Sequence, residues 1–406
     1  MSTTSQGAQG AEHVGGCPVR KLTRPDDAAA PAVERMPDGR WVVRTFALAR
    51  HVLRDSEDTR QAGFGAERMD PTGERMRPPI LYLEGPPHHA QRRAAARFFA
   101  PKVTESYRPM MEALADELVG TVGRDRWTDV SQLSLRMAVQ VAARVVGLTE
   151  SSIPGMSRRL ESFFEGDPTA RDRSVKGVLR TLRRSSTLLR FHHLDVKPAI
   201  RARRRERRED VISQLLDQGF SDLEVLTECV TYGAAGMVTT REFITVAVWH
   251  LTDEPALLAG YLAAERPERL AILEETLRLE PVVGHLHRRT TAPLRLDGPD
   301  GPVEVPAGAL VDLDVRAANA DPLVVGDEPL GLCPGRPLDR TVPPTLLSFG
   351  DGHHRCPGAP IAIMETEVFV SALLRDGIEV QGPPHVEWNP VTQGYDLDRL
   401  LVRRPA

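Results

Sequence analysis

Apolar positions recur every three or four residues along most of the chain, as in helices with one buried face. The pattern predicts helices over Ala47–Arg54, Ala90–Phe99, Glu105–Val122, Val130–Val146 and Ile153–Phe164. A strongly basic helix, Pro198–Arg208, leads into the apolar run Val211–Leu216. A long helix is expected from about Asp222 to Leu251, and another from Pro267 to Leu279, stopped by Pro281. Between Val282 and Val315 the pattern turns to strands, at His285–Arg289, Leu294–Leu296, Val303–Val305 and Leu310–Val315, with Gly and Pro between them. Trp41–Val43 and the residues before it read as a short strand pair. A Pro-rich meander spans Ala320–Pro344, and a last apolar helix runs from Ala359 to Leu374. The fold class is therefore mainly α with a small β region. Residues 21–406 form one domain, and residues 1–20 a polar tail rich in Gly, Ser, Thr and Gln, expected to be disordered.

Composition narrows the function. Of 406 residues, 41% are hydrophobic and 27% charged, enough to bury a large core. A net charge of −4 gives no reason to expect a nucleic-acid partner. The basic stretch Arg201–Arg208 has no interleaved aromatics and runs into Glu209 and Asp210, which fits a solvated helix face. Cys17, Cys229, Cys333 and Cys356 are widely spaced, which argues against a zinc site or a disulfide framework and fits a reducing cytosol. No apolar run approaches the roughly 20 residues of a membrane span, and the first residues lack the apolar core of a signal peptide. A cytoplasmic protein without a membrane partner is expected.

The chemistry concentrates in Phe349-Gly350-Asp351-Gly352-His353-His354-Arg355-Cys356-Pro357-Gly358. Its glycines allow a tight loop with exposed N–H groups. Cys356 lies just before a helix N-terminus, where the macrodipole and free N–H groups favour a thiolate. Phe349, Gly350, Gly352, His354, Cys356 and Gly358 match every fixed position of F-G-x-G-x-H-x-C-x-G. The run resembles the haem-binding loop of the cytochrome P450 family, of the soluble bacterial type, and the likeness extends from about Asp38 to Pro405.

The resemblance implies the cytochrome P450 fold and a haem-thiolate monooxygenase carrying haem b, with Cys356 as axial iron ligand, the arrangement that favours O–O cleavage. It implies oxidation of a small organic molecule with dioxygen, in bacterial secondary metabolism such as antibiotic biosynthesis. Electrons would come from a separate ferredoxin and ferredoxin reductase, docking on a basic face of Arg92, Arg93, Arg97 and Arg355. Ala235-Gly236-Met237-Val238-Thr239-Thr240 resembles the oxygen-activating segment, with Thr239, Gly236 and Ala235 as catalytic residues. A glycine inside a helix costs about 1 kcal/mol relative to alanine, and Gly236 is better explained if something flat lies against it. Thr239 can bond back to a carbonyl one turn earlier. His88, Arg92, Arg288 and His354 are the implied haem-propionate ligands, with His88 and Arg92 one helical turn apart. Glu275 and Arg278 resemble the family's structural pair, completed by Arg340, or failing that by Arg336.

Alternation along a strand puts Gly284 and Leu286 on the face of Arg288, and His285 and His287 on the other. Gly284, Leu286 and Tyr395 are the implied substrate-pocket residues, Gly284 leaving room near the iron. The segments Ala62–Pro79 and Asp167–His193 would select the substrate. Two positions depart from the family. Val238 stands where an acid is expected, which opens oxidative coupling, other non-hydroxylating oxidation or peroxide-driven chemistry as alternatives. Ile363 stands where an Arg is expected, which removes a cation from the donor-docking face. A non-catalytic haem carrier or sensor is a third class, against which the Gly236–Thr239 segment speaks.

Overall fold

The computed structural model describes residues 18–22, 30–55, 57–66, 76–152, 155–156, 159 and 186–405. Its main helices are α1 (Phe46–Arg54), α2 (Gly85–Ala95), α3 (Pro101–Ser106), α4 (Arg108–Val119), α5 (Val130–Val146), α6 (Lys197–Arg205), α7 (Val211–Asp217), α8 (Asp222–Asp253), α9 (Pro255–Ala263), α10 (Arg266–Leu279) and α11 (Ala359–Leu374). The predicted helix Ile153–Phe164 lies largely outside the described residues, as do most of Asp167–His193 and part of Ala62–Pro79.

The long helix α8 starts where the sequence supplies a capping box. Ser221 Oγ accepts the Glu224 N–H, and Glu224 accepts the Ser221 N–H at 2.8 Å. Its apolar stripe packs on α5 and α11, and Phe243, Ile244, Val246, Ala247 and Val248 are buried among them. α11 is apolar nearly all round and is buried along most of its length, so it forms the centre of this helical body.

A five-stranded sheet covers one end. Its strands are β1 (Val33–Arg35), β2 (Trp41–Val43), β3 (Thr59–Ala62), β5 (His285–Thr290) and β8 (Leu310–Asp314), in the order β1-β2-β8-β5-β3. The smaller β-structures use β4 (Thr128–Asp129), the hairpin β6 (Leu294–Gly298) and β7 (Gly301–Val305), and the C-terminal strands β9 (Glu379–Val380), β10 (His385–Asn389), β11 (Gly394–Asp398) and β12 (Leu401–Arg403). In β5, His285 bonds Asp312 of β8 at 2.7 Å and His287 lies 3.7 Å from the same carboxylate. Both are thus turned from the face of Arg288, as strand alternation requires.

The Glu–Arg pair of α10 joins body to meander. Arg278 donates to Glu275 through Nε at 2.7 Å and Nη2 at 2.8 Å, and its remaining N–H groups reach the carbonyls of Asn319, Pro329 and Gly331. The third member is Arg336, not Arg340. Arg336 Nε donates to Glu275 at 3.0 Å and its other nitrogens hold the carbonyls of Val325 and Gly331. The turn at Gly335, with φ +75°, sends Arg336 inward, whereas Arg340 is exposed.

Two expectations are corrected at the meander. Residues 18–20 of the predicted tail pack against it and the end of α10: Val19 bridges Gly331, Arg20 N–H donates to Leu330 O at 2.9 Å, and the Arg20 side chain donates to Leu279 O at 2.9 Å and Arg316 O at 3.0 Å. Cys333 is disulfide-bonded, because chain separation says nothing about spatial approach. Cys229 and Cys356 are free.

The basic helix α6 is neutralised by its surroundings. Arg203 pairs with Asp210 and Glu150, Arg204 with Asp222, Arg207 with Asp217, and Arg208 with Glu150. Most of these arginines form the solvated face expected of the stretch, but Arg203 is buried with Asp210.

Two buried glutamates of α8 make stability pH-dependent. Burial pushes Glu228 up to about 7 and Glu242 up to about 8, against an ordinary value of 4.5. The unfolded chain loses these protons near 4.5 while the native chain keeps them, so the native state binds more protons in between. Stability on their account falls as pH rises from about 4.5 to 8, by on the order of a few kcal/mol. Urea melts of the wild type against Glu242→Gln check this: the variant should show a shallower decline.

Candidate haem-thiolate site

The cysteine loop is built by backbone geometry. Gly350 and Gly352 both take positive φ, +67° and +65°. A Cβ on Gly352 would lie 2.2 Å from Leu53 O of α1, so no larger residue fits there. Asp351 locks the loop from outside by accepting from Arg50 Nε and its neighbour Gly352 N–H, at 2.9 and 2.7 Å. Cys356 N–H donates to Phe349 O at 2.8 Å. Cys356 is exposed to solvent although neighbouring protein crowds it. Burial pushes its pKa up, outweighing the N–H groups of Gly358 and Ala359 and the nearby Arg92 and Arg355. The helix-start N–H groups thus act in the expected direction, toward the thiolate, against burial. A Cβ on Gly358 would sit 3.8 Å from Cys356 Sγ, so this glycine leaves space beside the sulfur.

The middle of α8 opens onto space at Ala235, which is exposed although its described neighbours on the helix are buried or half-buried. Thr239, one turn on, donates through Oγ1 to Ala235 O at 2.5 Å. Gly236 is placed differently from expectation. Its missing side chain points to Ala142 of α5, at 3.6 Å, so the room lies at Ala235. Glu242 bonds the Leu397 N–H at 2.8 Å and takes no part in this opening.

Around the loop gather the predicted propionate ligands. His88 stacks on His354 with ring centroids 4.1 Å apart. Burial, with His354 and Arg92 close by, lowers His88 to about 3, so it is a neutral donor and not a cation. His354 is lowered too, mainly by burial, although Glu84 at 3.2 Å opposes this. Arg288 reaches Glu84 at 3.4 Å. Arg92 bonds Arg355 O, and burial weakens its hold on its proton. Arg288 Nε and His88 Nδ1 are buried with no hydrogen-bond partner. Buried donors left unmatched are costly, and here they gather beside the cysteine loop. This donor set fits a group bearing carboxylates, with Cys356 as the residue that would hold its iron.

Sequence reasoning missed Glu84, which neutralises part of this cluster; an acid four residues before His88 was the available signal. The pocket residues fare unevenly. Leu286 lies beside Gly350, a Cβ there being 3.7 Å from Leu286 Cδ1. Gly284 leaves no free room: a Cβ on it would sit 2.1 Å from Gln393 O, so it admits the C-terminal loop. Tyr395 is fully buried and donates to Glu280 O at 2.8 Å, a core bond rather than a ligand contact. Along the cysteine loop runs a groove of about 560 Å³, lined by Arg92, Glu105, Arg266, Glu274, Cys356 and Ile363 among others.

The comparisons agree with this geometry. The family described as Cytochrome P450 matches residues 269–384. A cyclomarin C epoxidase of Salinispora arenicola is 31% identical over 75% of this chain and 75% of its own length. An erythromycin C-12 hydroxylase of Saccharopolyspora erythraea is 28% identical over 83% of this chain and 81% of its own. The crystal structure of CalO2 superposes with a TM-score of 0.77 at 25% identity, covering 92% of each chain. The chain belongs to the cytochrome P450 family of haem-thiolate monooxygenases, which act on small molecules with dioxygen.

Proposed function

We propose that this chain oxidises a small organic molecule in bacterial secondary metabolism, with haem b held by Cys356 and electrons from a separate ferredoxin and its reductase. The observation that carries the reading is a water-reachable thiol beside buried donors that lack partners. Relatives that include an epoxidase and a hydroxylase of named natural products support the substrate class. Placement in the cytoplasm is part of the reading; among the described residues no helix is long and apolar enough to cross a membrane.

When bound, the haem iron supplies dioxygen reduction and O–O cleavage, which an axial thiolate favours. The protein binds, orients and excludes. Arg92 and Arg288 would hold the propionates with charge, and His88 and His354 through ring N–H groups. Thr239 spends its proton on Ala235 O, so it turns lone pairs to the opening and would accept from a water there. Thr239→Val should lower product per NADH, toward the ~10²-fold that a positioned proton-transfer group contributes.

Val238 favours a second reading, oxidative coupling or peroxide-driven oxidation, since valine and not an acid precedes Thr239. A small-molecule screen under ¹⁸O-labelled dioxygen separates them. One labelled atom in the product supports oxygenation, while a product without new oxygen supports coupling and defeats the first reading. Arg93, Arg97 and Arg355 are exposed and suit an acidic donor. Arg93→Glu with Arg97→Glu should slow reduction by ferredoxin most at low salt; unchanged rates would defeat that docking face.

A further inference from the structure

Two carboxylates of α8 hold backbone from a distant part of the chain. Glu224 accepts the Arg77 N–H at 3.0 Å, and one turn later Glu228 accepts the Ile80 N–H at 2.9 Å. A spacing of four residues puts them on one helix face. The captured stretch continues through a 3-10 turn, Ile80–Tyr82, into α2, which carries His88 and Arg92. Tyr82 is anchored on its far side, its hydroxyl donating to Phe64 O at 2.7 Å.

The two acids are not equivalent. Glu224 is partly exposed, serves the helix cap and is held below the usual carboxylate range by its hydrogen bonds against the opposing effect of burial. Glu228 is 1% exposed. Its Oε1 accepts both the Ile80 N–H and Gln91 Nε2, the latter at 2.6 Å, while Oε2 is buried without a partner. The groups facing it are Gln91 of α2, Arg77 of the captured stretch, and Cys229 and Tyr232 of α8. Burial keeps that thiol and that phenol neutral. Arg77 stacks over Phe220 at 4.0 Å, and no ion pair to Glu228 occurs among the described residues. A protonated carboxyl leaves Oε1 free to accept both bonds. An ionised one leaves charge on a dry oxygen, which is costly until water enters. Glu228 also lies seven residues before Ala235 and eleven before Thr239, on their stripe of the helix.

We propose that Glu228 is a positioning residue: its protonation decides whether residues 76–82 stay docked on α8 and so whether the wall between α8 and α2 is closed. The proposal rests on the function above only for what the wall encloses; the latch rests on its own bonds. Loss of the proton to solvent admits water past Ile80 and frees the stretch.

Amide hydrogen exchange on the haem-loaded full chain tests it, read on a peptide spanning residues 76–84 and corrected for the intrinsic pH dependence. Protection should fall by roughly tenfold between about pH 6 and pH 8. Glu228→Gln, which keeps the acceptor and cannot ionise, should hold protection at both, and Glu228→Ala should lose it at both. A flat profile in the wild type overturns the proposal. So does the same pH course in Glu228→Gln, or an equal loss in α11 peptides, which would make the change global. No turnover is measured, so failure here leaves the monooxygenase reading standing, and loss of the haem-thiolate spectrum leaves the latch standing.

Discussion

Arg336→Leu will destabilise the protein by about 3–5 kcal/mol, the usual cost of removing one partner from a buried charge network. Arg340→Leu will change stability by less than about 0.5 kcal/mol, as exposed positions do. The contrast follows from what each residue touches. Arg336 shares Glu275 with Arg278 and fastens four carbonyls of the meander as well as that carboxylate. Removing it leaves those carbonyls short of donors and loosens the stretch that delivers the cysteine loop. Haem content should fall with stability in Arg336→Leu and stay at the wild-type level in Arg340→Leu. Urea melts and the haem-to-protein absorbance ratio give both readings. Equal effects of the two substitutions would mean that Glu275 and Arg278 act without a third member.

Cys356→Ser will abolish the red-shifted Soret band that reduced, carbon-monoxide-treated wild type should show. The wild-type band would identify a thiolate ligand, and the variant tests whether Cys356 supplies it. Of the remaining thiols that the structure describes, Cys229 is buried with its pKa pushed far up and Cys333 is in a disulfide, so neither is available to replace it. The loop's frame does not depend on the sulfur, because Asp351 and the two positive-φ glycines set it. The variant should therefore fold. A band at the histidine-ligated position in the wild type would reopen the site, with His353 and His354 the nearest imidazoles in sequence.

What was legible in the sequence had a strong local cause. Val130–Val146 and Ala359–Leu374 coincide with their predicted bounds because start signals and apolar period agree there, Asp129 capping the first and Gly358 with Pro360 opening the second. The bidentate pair Glu275–Arg278 was legible from its i, i+3 spacing on a helix. Its third member was not, because the meander has no period from which direction can be read, and one positive-φ glycine decides which arginine turns inward. Gly284 and Gly236 show the limit from another side. A glycine signals close approach, but the sequence does not say of what. At Gly284 it is the carbonyl of Gln393, and at Gly236 a neighbouring helix. Short strands such as β3 and β4 escaped notice because pairing with distant segments, rather than alternation, creates them. Glu228 carries no motif at all; only its enclosure makes it unusual.

The contacts of residues 18–22 have a consequence for the order of assembly. Arg20 waits for acceptors 259 and 296 positions downstream, and Val19 for Gly331. During synthesis this stretch leaves the ribosome early and has nothing to bind until the end of α8 emerges, where Lys21 meets Trp249 and Asp253; its other partners wait for α10 and the meander. Closing so large a loop adds little free energy beyond a medium one, but it delays the contact. The earliest-made of the described residues would then be among the last to be seated, and their docking would mark the point at which the Glu275 junction becomes permanent.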